Sequence, residues 1–189
     1  SKLKEPRGRV RYLSDEERER FLLACKESSN SSLYVAVILA LSTGARKNEI
    51  WKLSWEKVDL NNRFILFEET KNDEPRTVPL QGHAFELMLE RSKTRSIETN
   101  LVFPSRINPQ KNLNFRRPFS MALKAAKIEN FRWHDLRHCT GSYLVMAGVD
   151  MRTIAEILGH KTIQMTQRYA HLSSEHLKEA HAKMEHNIF

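Results

Sequence analysis

Apolar residues recur at helical spacing over most of the chain, and several of these stretches have recognisable ends. Segment 14–28 begins with Ser14 and Glu17, which are spaced as a capping box at the start of a helix. Segment 31–44 is apolar on nearly every side and stops at Gly44, which predicts a buried helix. Further helices are predicted over 82–96, 114–130 and within 133–171.

From Val58 onward the pattern changes to short runs rich in β-branched and aromatic residues. Segments 61–69 and 76–80 are separated by a polar stretch, which is typical of a hairpin or small sheet with Lys71 at the turn. An exposed turn lysine is usually only solvated. Its flexible stem can also reach into a cleft, where the ammonium group would serve as a proton donor.

The stretch from Trp133 to His171 holds most of the candidate chemistry. His134 and Arg137 lie three positions apart and share one helical face, so an imidazole and a guanidinium point toward the same place. That place suits a phosphate. A second helix is predicted to end at Gly159, leaving His160 on the turn just beyond it, and Tyr169 follows.

A second arginine follows the buried helix. Arg46 occupies the predicted start of a short helix, and Glu49 lies three residues later on the same face. One interpretation is an ordinary ion pair at a helix start. The other is an arginine held by a carboxylate so that its planar fork faces a ligand.

The charge balance indicates the kind of partner. Lysine and arginine number 31 against 23 acidic residues, for a formal net charge of +8, as in proteins that meet a polyanion. Nucleic acid is the first candidate and an anionic membrane the second. No apolar run approaches the roughly 20 residues of a membrane span, and no signal-peptide pattern opens the chain. We therefore expect no membrane association and a cytoplasmic, nucleoid-associated location.

Residues 1–12 are basic and carry Pro6 and Gly8, which discourage regular structure. This composition predicts that residues 1–12 form either an interdomain linker or a solvated tail. Cys25 and Cys139 fall within helical apolar patterns and are expected to be reduced and packed.

A metal site is not predicted. His134 and His138 have the spacing of two zinc ligands on a helix, but the glutamate that follows the first histidine in a zincin helix is missing. A metal-independent reaction is more coherent. A free tyrosine nucleophile costs roughly 4 kcal/mol to ionise at pH 7, and each donor aimed at a phosphate oxygen can supply about 3–4 kcal/mol.

Several motifs occur together in a characteristic order: TGARKNEIWKL, the turn lysine in TKN, the box HDLRH, then LGH and RYAH. In combination they resemble the catalytic domain of a tyrosine recombinase of the phage integrase family, from about Leu13 to about Leu172. The resemblance implies an α+β, mostly helical fold with a small three-stranded antiparallel sheet. It also implies a domain over 13–189, without the amino-terminal core-binding domain of full-length members.

The resemblance implies roles for individual residues. Arg46 and Arg137 would clamp the scissile phosphate, and His160 would donate to its oxygens. His134 would assist proton transfer from Tyr169, which would form a 3′-phosphotyrosine bond. Lys71 would protonate the leaving 5′ oxygen. Glu49 and His138 would be supporting residues.

The resemblance also implies the assembly. Family members of this type recombine DNA of phages or mobile elements as a homotetramer on DNA, with no cofactor and no small-molecule substrate, and we expect the free chain to be a monomer. Three alternatives stay open: a non-enzymatic helix-turn-helix module formed by TIAEILGHKTIQMTQRYA, a type IB topoisomerase, and a metal-dependent nuclease, which the lack of an acidic cluster disfavours. We also expect Tyr169 to be mobile in the free protein.

Overall fold

The computed structural model describes residues 10–68 and 75–173, together with residues 182 and 184. Its helices, in chain order, are α1 Asp15–Lys26, α2 Ser32–Thr43, α3 Lys47–Trp51, α4 Gly82–Ser92, α5 Arg116–Ala125, α6 Asp135–Met146, α7 Met151–Leu158 and α8 Ile163–Thr166. Two 3-10 helices also lie among the described residues, Trp55–Lys57 and Gln167–Leu172. The predicted mostly helical fold is confirmed.

The helix ends follow local sequence. Ser14 Oγ accepts from the Glu17 backbone N–H at 3.2 Å while the Glu17 carboxylate accepts from the Ser14 N–H at 3.1 Å, so the predicted capping box is present. Gly44 and Gly159 end α2 and α7 in the left-handed conformation, each with φ 62°. The helix predicted over 114–130 stops at Ala125 because Lys127 and Asn130 take positive φ.

A small sheet packs beside the helices. Strands β1 Val58–Asp59, β2 Phe64–Phe67 and β3 Arg76–Pro79 form an antiparallel sheet in that order, with Ile65 opposite both Val58 and Val78. The three-stranded antiparallel sheet is therefore confirmed. Lys71 belongs to the connection between β2 and β3 and lies outside the described residues.

Helix α2 occupies the centre of the domain and packs against α1, α4 and α6, as its uniformly apolar sequence requires. Burial of the apolar side chains of this helix is a large favourable contribution to folding. A second, smaller cluster contains Val145, Ile154, Leu158 and Tyr169. It joins α6 to α7 and brings the tyrosine of the sequence motif into a packed interior.

Residues 10–12 contact the domain. Val10 packs against the smaller apolar cluster, and the Arg11 guanidinium pairs with Glu17 at 2.5 Å. Tyr12 meets Tyr143 edge-on with ring centroids 6.4 Å apart. The end of the predicted linker is thus tied to α1 and α6, while the linker role of the segment stays a prediction.

Two glycines with positive φ allow a test of how tightly α2 and α7 pack. An added Cβ on Gly44 would lie 2.4 Å from Leu158 Cδ2, whereas one on Gly82, at φ 51°, meets nothing within 4 Å. We expect Gly82→Ala to lower the free energy of unfolding by about 1 kcal/mol from backbone strain alone. Gly44→Ala should lower it by about 2–4 kcal/mol, because overpacking adds to that strain. Urea unfolding of both variants checks this, and equal losses would contradict the packing argument.

Candidate active site

Arg137 lies in the first turn of α6 with its guanidinium inside the domain. Nη1 donates to the Gly44 carbonyl at 2.8 Å, and Nη2 donates to the Leu158 carbonyl. These carbonyls belong to the carboxyl ends of α2 and α7, which carry partial negative charge and so favour a cation. Burial, with Arg46 and Arg76 nearby, lowers the pKa of Arg137 to about 10. The group therefore stays charged at neutral pH.

Tyr169 lies on the 3-10 helix after α8 and is only 1% exposed. Its hydroxyl is 2.8 Å from Nδ1 of His138. The ring lies against the backbone of α6 at Gly141, where an added Cβ would be 2.7 Å from the ring Cζ. Burial raises the pKa of Tyr169 to about 12, although Arg137 and Arg168 act in the opposite direction. The hydroxyl is therefore protonated and docked within its own domain.

Three histidines surround this hydroxyl and the buried guanidinium. Burial, followed by the charge of His134, lowers the pKa of His138 to about 4. Burial, followed by Arg137, lowers the pKa of His160 to about 3. The pKa of His134 is also lowered, mainly by burial. All three rings are neutral at pH 7, so Nδ1 of His138 can accept the tyrosine proton while Nε2 carries its own.

The structure distinguishes the two neighbouring histidines of the HDLRH box. His134 is the N-cap of α6, and its ring meets that of His138 edge-on, with centroids 5.1 Å apart. The contact with the tyrosine hydroxyl is made by His138. His160, beyond the end of α7, is oriented by Thr166, whose Oγ1 lies 2.8 Å from His160 Nδ1. The resemblance implied that His134 would assist proton transfer from Tyr169 and that His138 would be a supporting residue, whereas the ring nitrogen that contacts the hydroxyl belongs to His138.

Glu49 holds the start of α3. Its Oε2 accepts from the Arg46 backbone N–H at 2.5 Å, and its Oε1 lies 3.8 Å from Arg46 Nη1. Its strongest partner is Arg76 on β3, whose guanidinium donates to both carboxylate oxygens at 2.6 and 2.7 Å. The two interpretations of the Arg46 and Glu49 spacing omitted this third residue, because a strand position distant in sequence carries no local sign of such a contact.

Arg168 was also not identified from the sequence. Its side chain is exposed beside Tyr169, and its charge contributes to the lowered pKa values of His134, His138 and His160. In the sequence, only its position next to Tyr169 indicated a role at the site. Lys71, the predicted proton donor, lies outside the described residues, and its role stays a prediction.

A groove runs from the site between β3 and α7. It has a volume of about 740 Å³, and its lining includes Thr77, Arg152, Gly159, His160 and Lys161. Its lining as a whole carries three cationic side chains, Arg76, Arg152 and Lys161, and one acidic side chain, Glu156, so the groove has a net attraction for an anionic backbone. It opens on the side of the domain where His160 stands.

Neither a metal centre nor a membrane segment is evident within the described part of the chain. Across residues 10–68 and 75–173, no group of three His, Cys, Asp or Glu side chains is arranged to hold a metal ion. The helices in those same ranges are too short or too polar to cross a membrane. The side chains gathered here instead suit binding and proton transfer at an anion.

The neutral histidines predict a loss of stability in mild acid. In the unfolded chain a histidine binds its proton near pH 6.5, whereas His138 in the folded chain binds one only near pH 4. The unfolded state therefore takes up more protons between these values, and the free energy of unfolding falls as pH decreases through this window. Replacing His138 by Asn removes the titration but keeps an acceptor for the Tyr169 hydroxyl.

We expect His138→Asn to reduce the stability difference between pH 7 and pH 5 by about 1–2 kcal/mol relative to the unchanged protein. Urea unfolding at the two pH values measures this difference. An identical pH dependence in both proteins would show that His138 is not held neutral by its surroundings.

Comparisons with known proteins identify the family of this chain. The chain matches the phage integrase family over residues 11–176. It is 33% identical to the integrase of Salmonella phage P22, covering 100% of this chain and 50% of that protein. It is 28% identical to the tyrosine recombinase XerA of Thermococcus kodakarensis, with 95% of this chain and 64% of that protein covered. The chain thus spans about half the length of the phage relatives that it matches.

Solved structures show the same fold. The catalytic domain of bacteriophage HP1 integrase superposes with a TM-score of 0.71 at 31% identity, covering 91% of this chain and 94% of that one. A XerA recombinase superposes with a TM-score of 0.77 at 26% identity, covering 95% of this chain and 66% of that one. The sequence match and the shared fold together establish that this chain belongs to the phage integrase family.

Proposed function

We propose that this chain is the catalytic domain of a site-specific DNA recombinase that cleaves and rejoins DNA through a 3′-phosphotyrosine at Tyr169. The observation that carries the proposal is the position of the tyrosine hydroxyl. It lies 2.8 Å from a neutral histidine, within a site whose buried arginine is aligned by two helix ends. A buried phenol with a proton acceptor on one side and guanidinium groups nearby suits attack on a phosphodiester.

In the proposed cleavage step, one bond to phosphorus forms and another breaks. The phenol oxygen of Tyr169 forms a bond to phosphorus as the bond from phosphorus to the 5′ oxygen breaks. The phenol proton passes to Nδ1 of His138, which it already contacts. Lys71 supplies a proton to the leaving 5′ oxygen, and reversal with a new 5′ hydroxyl rejoins the strand. No cofactor enters this balance, and the bond energy of the phosphodiester is retained.

Burial of the tyrosine favours proton transfer during attack over prior ionisation. With the pKa of Tyr169 at about 12, forming free tyrosinate at pH 7 would cost about 7 kcal/mol. That cost exceeds the roughly 4 kcal/mol needed to ionise a tyrosine with an ordinary pKa. An arriving phosphate adds negative charge that raises the pKa of His138 and so helps it accept the proton. His134, which packs against His138, is placed to support that change.

The arginines and His160 are proposed to bind the non-bridging oxygens. Arg137 has two donors engaged by carbonyls, which fixes the plane of its guanidinium. Arg46 comes after Gly44 in the chain and is the N-cap of α3, and His160 directly follows Gly159, which ends α7. Each preorganised donor of this kind can contribute about 3–4 kcal/mol to the transition state. Electrostatic complementarity to the phosphate is thus the main source of rate.

The proposed partner is double-stranded DNA, with a homotetramer on DNA and a monomer when free. The net charge of +8 and the cationic groove beside His160 support a DNA backbone on this face. Among proteins of similar fold, the XerH recombinase has been solved bound to its difH substrate.

The helix-turn-helix alternative fits the geometry poorly. A recognition helix must lie in the major groove and present several side chains to base edges. Helix α8, which would take that place, spans only Ile163–Thr166 and leads directly into the 3-10 helix that buries Tyr169. The segment therefore delivers a tyrosine to the interior.

A covalent-trapping experiment tests the proposed function. The protein is incubated in EDTA with a pool of nicked duplex DNAs of varied sequence, from which a cleaved fragment diffuses away. We expect a denaturant-resistant complex of protein and DNA that disappears in Tyr169→Phe, because the nucleophilic oxygen is lost. Arg137→Lys should reduce its yield by about 100-fold or more, because one preorganised donor set is lost.

Tyr34→Phe is the matched control, since the Tyr34 hydroxyl contacts His83 at 3.1 Å, away from the site. This variant should form the complex as the unchanged protein does. A complex that persists in Tyr169→Phe, or that requires a divalent metal, would refute the phosphotyrosine mechanism. Relaxation of supercoiled plasmid without strand exchange would move the assignment to the topoisomerase alternative.

A further inference from the structure

Arg76 is the first residue of β3 and forms the tightest ion pair beside the site. Its two Nη atoms donate to the two oxygens of Glu49 at 2.6 and 2.7 Å, with the side chains 9% and 4% exposed. Its Nε donates to the Ile157 carbonyl at 3.2 Å. The guanidinium also lies over the ring of Phe67, with its carbon 5.0 Å from the ring centroid. All three guanidinium nitrogens of Arg76 therefore donate to a defined acceptor.

These contacts connect the elements that carry two of the proposed phosphate donors. Through Glu49, Arg76 reaches the backbone N–H of Arg46 at the start of α3. Through the Ile157 carbonyl it reaches the last turn of α7. Its side chain also lies against Gly159, where an added Cβ would be 2.8 Å from Arg76 Cδ. The next residue is His160.

We propose that Arg76 is a positioning residue for the cleavage reaction. By pairing with the Glu49 carboxylate and donating to the Ile157 carbonyl at the end of α7, it sets the positions of Arg46 and His160. This rests on the proposed function of the site. Arg76 does not contact the reacting atoms in the proposal. It acts through Glu49 on one side and through the Gly159 turn on the other.

Competition for the carboxylate explains why this role is more than structural support. Arginine and carboxylate prefer a two-pronged pair, and the Glu49 carboxylate can form only one such pair at a time. In the structure that pair is made with Arg76, and Arg46 Nη1 stands 3.8 Å from the same carboxylate. Without Arg76, the buried charge of Glu49 would draw the Arg46 guanidinium toward itself and away from a phosphate.

The test therefore pairs removal of Arg76 with removal of the competing charge. Arg76→Met leaves Glu49 charged, whereas the double variant Arg76→Met with Glu49→Gln leaves no carboxylate to capture Arg46. The glutamine oxygen can still accept the Arg46 backbone N–H. We expect Arg76→Met to lower the rate of covalent complex formation by about 100-fold, and the double variant to recover at least about tenfold of that loss.

Arg91→Met is the matched control for losing a buried arginine. Arg91 Nε also donates to a backbone carbonyl, that of Val102 at 2.7 Å, and its guanidinium lies 4.6 Å from the ring centroid of Phe103. Its contacts thus resemble those of Arg76 but lie away from the site. Arg91→Met should keep cleavage within about twofold when both variants are compared at equal folded fraction.

Binding of inorganic tungstate gives a readout that does not require cleavage. Tungstate is a tetrahedral oxyanion that stands in for the phosphate, and its binding to the full chain can be followed by calorimetry or by NMR of arginine side-chain resonances. We expect the dissociation constant to rise at least about tenfold in Arg76→Met and to recover in the double variant. Arg91→Met should bind as the unchanged protein does.

The outcomes separate the two proposals. Recovery in the double variant, in cleavage or in tungstate binding, supports the positioning role. A double variant no better than Arg76→Met in both measurements would reduce Arg76 to a structural ion pair, and an Arg76→Met protein with normal cleavage and normal tungstate binding would overturn the proposal outright. If tungstate binding weakens in Arg76→Met and recovers in the double variant but the unchanged protein never forms a covalent complex, the proposed recombinase function fails, and only the placing of the oxyanion-binding groups by Arg76 stands.

Discussion

The site depends on one buried cation held between two helix ends. Arg137 donates to the carbonyl of Gly44 at the end of α2 and to that of Leu158 at the end of α7. A guanidinium buried in this way is costly unless its donors are satisfied, and carbonyls at helix carboxyl ends satisfy them with favourable electrostatics. Both helices end in left-handed glycines, so the backbone turns away and leaves these carbonyls pointing inward. The hydrogen bonds by which Arg137 joins the ends of α2 and α7 therefore also hold its positive charge at the site.

The proposed nucleophile, Tyr169, is held by packing as well as by a hydrogen bond. Tyr169 belongs to the cluster that joins α6 to α7, and its ring requires a glycine at position 141. The expectation of a mobile tyrosine rested on a short polar segment, whereas the structure places the ring among apolar side chains. Burial makes the phenol a weaker acid, so the proposed attack depends on a histidine that accepts its proton directly. Stability and reactivity of this segment are thus opposed, as is common at active sites.

Local features were predictable from the sequence, and partners across the fold were not. The capping box of Ser14 and Glu17 and the glycine ends of α2 and α7 follow from residues within one turn, and the structure contains them. The grouping of His134, Arg137, His160 and Tyr169 followed from ordered motifs. The pairing of Arg76 with Glu49 and of His138 with Tyr169 depends on how β3 and the 3-10 helix fold back. Periodicity carries no information about such contacts, and the roles of Lys71 and residues 1–12 stay predictions.

The electrostatics of the site show why an anion would complete it. Among the described residues, the guanidinium groups of Arg46, Arg76, Arg137 and Arg168 stand near the carboxylates of Glu49 and Asp135, and the neighbouring histidines are neutral. Cations therefore exceed anions, and this excess adds to burial, which is the main cause of the lowered pKa values of the histidines. A bound phosphodiester would carry one negative charge, which would offset part of this excess and raise those pKa values. Binding and activation would then be linked, because the phosphate charge that the guanidinium groups attract would also favour a proton on His138.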